Sequence, residues 1–132
     1  MQMLAKIILS MCLFPMLSLQ QSWAGELQKE IDHLIEFINH SECIFIRNGR
    51  EHNPEEASRH ILRKYDYFKA KIRTTEQFIE LCATKSTMSN RFYEIACRGK
   101  LKIKSKDWLL GELRRFRSQS RRSYLKNASN TH

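Results

Sequence analysis

The sequence predicts an α+β fold that is mostly helical, with about four helices and a small antiparallel sheet of two or three strands, after a cleaved signal peptide. Three observations support this prediction: an apolar leader, several amphipathic segments with a helical period, and short β-branched runs beside turn residues. The 108 residues that follow the leader suffice for a single domain with one modest core.

The first 24 residues have the features of a secretory signal peptide. Lys6 gives a positive start, residues 7–19 are mainly apolar, and the small residues Ser22 and Ala24 precede the expected cleavage after Ala24. About 13 apolar residues fall short of the roughly 20 needed to span a bilayer, and no later segment is more apolar. We therefore predict a periplasmic or secreted protein with no transmembrane segment in the mature chain.

Amphipathic spacing and capping residues define the first two helices. Apolar residues recur at helical spacing in residues 27–38, which predicts the first helix. The β-like run "CIFIR", residues 43–47, follows and is closed by Asn48-Gly49, a pair that readily adopts positive φ. Asn53, Pro54 and Glu56 then predict the start of a second helix through a capping box. Its inner face is expected to contain Ala57, Ile61, Tyr65, Phe68 and Ile72.

The second half of the chain predicts two more helices with strands between them. Thr74 is expected to cap a helix whose inner face contains Phe78, Ile79 and Cys82. The turn-like segment 86–91 includes Asn90, which tolerates a left-handed backbone, and precedes the strand-like "FYEIAC". Residues 101–104 alternate and suit a third strand. Ser105 is expected to cap a last helix ending near Phe116. The predicted domain therefore covers residues 25–116, and residues 117–132 form a basic, disordered tail.

Three cysteines remain after the leader: Cys43, Cys82 and Cys97. An oxidising compartment allows one disulfide and one free thiol. Cys43 and Cys97 each lie at the end of a strand-like run, whereas Cys82 lies on the apolar face of a helix, so we predict the pair Cys43–Cys97. The absence of CxxC and HxxxH spacings predicts no metal site.

Several ordered motifs carry a resemblance to a known family. "FIRNGREH", "ASRHILRK", "TTEQFIE", "KSTMSNRFYEI" and "DWLLGEL" resemble the YfeK-like family of small exported Gram-negative proteins of unknown function, from about Ile44 to Leu113. Asn90 departs from the Ser-Gly that relatives have there, although asparagine suits the same turn. The resemblance implies a periplasmic helical domain and implies no activity.

One polar cluster is the candidate ligand site. Arg47, Asn48, His60 and Lys64 come from two of the matching motifs and could bind a carboxylate, phosphate or sugar. The alternative, which we favour, is a simple turn at Asn48-Gly49 that leads into a helix capped by Asn53, with Arg47 and Glu51 paired in solvent. We predict no catalytic residue and no cofactor, because no nucleophile motif appears and Cys82 lies on an apolar face.

A basic run near the C terminus gives the strongest compositional signal. The net charge is +9, and it is +8 after loss of Lys6, the one charged residue of the leader. Six cations with no acid among them lie in residues 114–126: Arg114, Arg115, Arg117, Arg121, Arg122 and Lys126. They predict attraction to an anionic surface, and export disfavours nucleic acid as the partner. The alternative is a solvated helix end and tail, because cations suit the C terminus of a helix.

Together these features predict a non-catalytic periplasmic module that binds an envelope protein or an anionic surface. The alternative is a small hydrolase or ligand-processing enzyme that uses Arg47, His60 and Lys64.

Overall fold

The structure, a computed structural model, describes residues 17–130, with side chains from Trp23 onwards. Most of the predicted signal peptide therefore lies outside the described residues. From Leu17 the chain is helical, and this helix continues through the predicted cleavage position after Ala24. No helix among residues 17–130 combines the length and the apolar character that crossing a membrane requires.

The described chain forms four α-helices and one four-stranded sheet, which confirms the predicted fold class. Along the chain the elements are α1 (Leu17–Asn39), β1 (Cys43–Arg47), β2 (Arg50–His52), α2 (Pro54–Phe68), a 3₁₀ turn (Lys69–Lys71), α3 (Thr75–Cys82), β3 (Glu94–Cys97), β4 (Ile103–Lys104) and α4 (Ser105–Ser129). The strand order is β2-β1-β3-β4, and each neighbouring pair is antiparallel. The sheet thus has one strand more than the upper limit of the two or three strands predicted.

The additional strand is β2, which forms a hairpin with β1. Asn48 and Gly49 connect the two strands with φ values of +53° and +77°, as a two-residue type I′ turn requires. The ladder then places Phe45 opposite His52 and Arg47 opposite Arg50. Because β2 lies at the edge of the sheet, it forms through backbone pairing and needs no apolar run of its own.

The core lies between one face of the sheet and the four helices. Phe45 on β1 and Ile95 on β3 face this core, whereas Ile44 and Ile46 alternate towards the opposite face. The predicted apolar stripes of the helices are buried or packed against the core, as expected, except that Ile72 is buried from a position beyond the end of α2. The buried helical residues include Ile31, Leu34, Ile38, Ala57, Ile61, Phe78, Ile79, Cys82, Leu109 and Leu113.

The predicted disulfide Cys43–Cys97 is confirmed. The two cysteines are direct partners in the β1–β3 ladder, with a Cα–Cα distance of 4.2 Å. Directly opposed antiparallel residues come this close at positions without ladder hydrogen bonds. Cys82 is the free cysteine of the described chain, and it is fully buried.

Two of the three predicted helix caps are confirmed. The Asn53 Oδ1 atom accepts a bond from the Glu56 N–H at 2.9 Å, and Thr74 accepts one from the Gln77 N–H at 3.1 Å. The prediction that Ser105 caps α4 is wrong. Lys104 is the N-cap residue of α4, and its side chain makes no capping hydrogen bond within the described chain. Ser105 is the first residue of the helix, and its N–H donates to the Tyr93 carbonyl at 2.9 Å.

The C-terminal helix is longer than predicted. We expected α4 to end near Phe116 and a basic, disordered tail to follow, yet the helix continues through Ser129. The apolar period stops at Phe116, but no proline or glycine follows, and Arg, Gln, Leu and Lys favour helix without burial.

Candidate functional site

The polar cluster of the sequence analysis is centred on Tyr93, which precedes β3. His60 on α2 shares a hydrogen bond of 3.0 Å between its Nε2 atom and the Tyr93 hydroxyl. One turn later, the Lys64 ammonium donates to the Lys85 carbonyl at 2.8 Å and lies 5.2 Å from the centre of the Tyr93 ring. Residues 60 and 64 lie on one helical face, so both reach the same segment.

The electrostatics of this cluster keep His60 neutral. Burial lowers the pKa of His60 to about 4, and the positive charges of Arg47, Lys64 and Arg63 act in the same direction. Burial also lowers the pKa of Lys64. A neutral imidazole can share a hydrogen bond with the Tyr93 hydroxyl but adds no positive charge that would attract an anion.

The space beside these groups is too small for a substrate. Arg47 and His60 both line a cleft, together with His52 and Tyr93, but its volume is only about 20 Å³. This volume holds about one water molecule. The polar contacts of His60 and Lys64 therefore join α2 to the segment around β3. Within residues 17–130, Arg47 makes no ion pair with Glu51, so that part of the alternative interpretation is wrong.

Asn48 lies apart from the other three predicted binding residues. Its Oδ1 atom accepts a hydrogen bond of 2.6 Å from the Ser89 hydroxyl, which connects the β1–β2 turn to the turn before β3. The structure thus gathers Arg47, His60 and Lys64 around Tyr93 and places Asn48 elsewhere on the sheet. Sequence reasoning missed Tyr93 as the centre because its partners are distant in the chain.

Cys82 has the properties of a core residue. Burial raises the pKa of the Cys82 thiol to about 11, so the sulfur is protonated at neutral pH and is a poor nucleophile. In the part of the chain that the structure describes, no three His, Cys, Asp or Glu side chains are arranged to hold a metal ion.

Two of the six basic residues in the run 114–126 of α4 form internal ion pairs. Arg115 pairs with Glu112 on its own helix. Arg117 donates to the buried Glu30 of α1 at 2.6 and 2.8 Å, and it also binds Glu76 of α3. The hydrogen bond from Arg117 is the main reason why the pKa of Glu30 is lowered.

The other four cations of this run face solvent. Arg114, Arg121 and Arg122 line an open depression, together with Arg117 and Ser118. The volume of this depression is about 530 Å³. Within residues 17–130, Arg114, Arg121, Arg122 and Lys126 take part in no ion pair. The same half of the helix exposes Tyr124 and Leu125. This surface can attract anions, and its guanidinium groups can bind phosphate in a bidentate manner.

Comparison with known proteins identifies one family. Residues 25–117 match the family described as a family of unknown function, DUF5329. The matched range contains the polar cluster and the Glu30–Arg117 pair, and it ends before Arg121. No curated protein and no solved structure matches the chain.

Proposed function

The chain belongs to DUF5329, a family of unknown function, and we propose that it is an exported, non-catalytic module that associates with anionic phosphate groups at the cell envelope. The observation that carries this proposal is a set of arginines on α4 that form no ion pair with any residue of the described chain: Arg114, Arg121 and Arg122. The proposal includes the relation to the YfeK-like group that the sequence motifs suggested.

Three features support export to the periplasm. Residues 1–24 have the composition of a signal peptide, and the family match begins at Gly25, directly after the proposed cleavage position. The Cys43–Cys97 disulfide suits an oxidising compartment.

The arrangement of charge on α4 supports an anionic partner. Residues 121 and 122 follow residue 114 by seven and eight positions, which is about two helical turns, so the three residues lie on one side of the helix. Lys126 lies one turn further along. Each cation near an anionic membrane contributes about 1 kcal/mol of attraction at physiological ionic strength. Arg115 and Arg117 contribute less because Glu112, Glu30 and Glu76 already neutralise them.

Among the described residues, the contacts around Tyr93 do not favour the alternative of a hydrolase or ligand-processing enzyme that uses Arg47, His60 and Lys64. His60 and Lys64 are bonded to Tyr93 and Lys85, and the cleft beside Arg47 holds about one water molecule. A catalytic site would need room for a reacting group within about 3 Å of the catalytic atoms.

The proposal is tested by sedimentation of the protein with lipid vesicles. We expect binding to vesicles that contain phosphatidylglycerol and little binding to phosphatidylcholine alone. The triple variant Arg114→Gln, Arg121→Gln, Arg122→Gln loses about 3 kcal/mol of attraction, so its binding should weaken on the order of 100-fold. Vesicles that carry lipopolysaccharide form a second arm, which separates the two sources of phosphate.

A matched triple variant distinguishes the effect of the α4 surface on binding from the effect of the net charge of the protein. Arg50→Gln, Lys71→Gln and Arg98→Gln remove the same charge from positions outside α4. We expect this control to retain most of the binding. Equal loss in both triple variants, or no binding of the wild-type protein to either anionic vesicle, would contradict the proposal.

A further inference from the structure

A groove on the outer face of the sheet has the composition of a second, separate binding site. Its volume is about 370 Å³. The turn residues Asn48 and Gly49 form one wall together with Arg91. Ile46, Glu94, Phe92 and Lys104 complete the lining. The groove therefore lies on the side of the sheet opposite the core, because the alternate residues Phe45, Tyr93 and Ile95 are buried.

The turn wall of this groove is held in place by contacts between two loops. The Ser89 hydroxyl bonds to Asn48, and Asn90 has a φ of +60° that turns the chain towards β3. Nitrogen atoms of the Arg91 guanidinium lie 3.7 and 3.8 Å from the position that a Cβ atom of Gly49 would occupy. The guanidinium thus lies beside the backbone of the β1–β2 turn.

The groove presents two positive charges that have no acidic partner among residues 17–130. Within the described chain, Arg91 and Lys104 make no ion pair, whereas the Glu94 carboxylate is paired with Lys102 at 3.3 Å. The Lys104 ammonium lies 4.4 Å from the centre of the Phe92 ring, a cation–π distance. Phe92 itself is 50% exposed, so part of its apolar surface remains open in the groove.

From these contacts we propose that the groove binds a small ligand in which a carboxylate or phosphate adjoins an apolar group. The Arg91 guanidinium would take the anion in a bidentate manner, with Lys104 as the second positive charge. The apolar part would lie against Phe92 and Ile46. The volume lies at the lower end of the range for small-molecule sites, which favours a small ligand. This site shares no residue with the surface of α4, so the two proposals are independent of each other.

The test is an NMR titration of backbone amides with four small probes. Phenyl phosphate and phenylacetate carry both features of the expected ligand, inorganic phosphate lacks the apolar group, and benzyl alcohol lacks the charge. We expect saturable shifts of residues 46–49 and 91–94 with the first two probes. Benzyl alcohol loses the charge-assisted bond, which corresponds to at least about tenfold weaker binding. Inorganic phosphate loses the apolar contact with Phe92 and Ile46, so it should also bind less well. The stronger of the two aryl anions identifies the preferred anion.

Two variants of equal charge locate the binding. Arg91→Gln should weaken binding at least about tenfold, whereas Arg98→Gln, just beyond β3, should leave it unchanged. A dispersed amide spectrum establishes that each variant is folded. Shifts spread over the whole chain, equal binding of inorganic phosphate, or unaltered binding by Arg91→Gln would overturn the proposal.

Discussion

At the scale of single residues, His60 shows how burial converts a titratable side chain into a structural one. Its imidazole is bonded to the Tyr93 hydroxyl and lies close to the charges of Arg47 and Lys64. Burial and these charges all oppose protonation of His60, which lowers its pKa to about 4. In the unfolded chain the same side chain titrates near its ordinary value of 6.5.

This difference in pKa predicts an acid-sensitive contribution to stability. Between about pH 6.5 and 4 the unfolded state binds the proton at His60 and the folded state does not, so the free energy of unfolding falls as the pH falls. We expect the wild-type protein to lose about 1–2 kcal/mol more than His60→Gln between pH 7 and pH 5, measured by urea unfolding. Equal losses in the two proteins would show that His60 does not titrate in this way.

At the scale of secondary-structure elements, the start of α2 could be predicted from local sequence, whereas strand β2 and the end of α4 could not. Asn53 and Glu56 specify the start of α2 because the capping box is formed by neighbouring residues. Strand β2 could not be predicted, since Arg50-Glu51-His52 has no strand pattern and is paired only through the hairpin. The end of α4 was missed because helix formers without an apolar period continue past Phe116.

Gly49 gives a prediction about the hairpin. Its φ of +77° is unfavourable for any residue with a Cβ atom, so Gly49→Ala should destabilise the protein by about 1–2 kcal/mol. Gly111 lies within α4, where alanine is the better helix former, so Gly111→Ala should stabilise by up to about 1 kcal/mol. Urea unfolding of both variants measures these opposite effects. Destabilisation of equal size in the two would contradict the role assigned to the turn.

At the scale of the whole molecule, the candidate site depends on contacts that no local pattern reveals. The four predicted binding residues were selected by motif, but the fold alone decides that Tyr93 joins His60 while Asn48 joins Ser89. The contact between Arg117 and Glu30 spans 87 positions of sequence. Tertiary packing brings such pairs together, so the sequence showed their charges and not their partners.

Arg117 connects α1, α3 and α4 and therefore predicts a global effect. Arg117→Gln would leave the Glu30 carboxylate, which is 5% exposed, without its main partner. Because Arg117 is itself partly exposed, we expect a loss of about 2–4 kcal/mol in the free energy of unfolding.

The matched control for Arg117 is Arg114→Gln, which removes the same charge three residues earlier on α4, where no ion pair is made within the described chain. It should change stability by less than about 0.5 kcal/mol. Adding Glu30→Gln to Arg117→Gln should restore part of the loss, since it removes the unpaired charge. A small effect of Arg117→Gln in urea unfolding would contradict this account.

The burial of Cys82 constrains the order in which the chain can be oxidised. In the unfolded chain Cys82 and Cys97 are 15 positions apart, whereas Cys43 and Cys97 are separated by 54. The shorter loop closes at a lower entropic cost, so premature oxidation favours the Cys82–Cys97 pair. Once α3 packs, Cys82 is fully enclosed and its thiolate is suppressed. The native crosslink is therefore favoured when helix docking precedes thiol exchange.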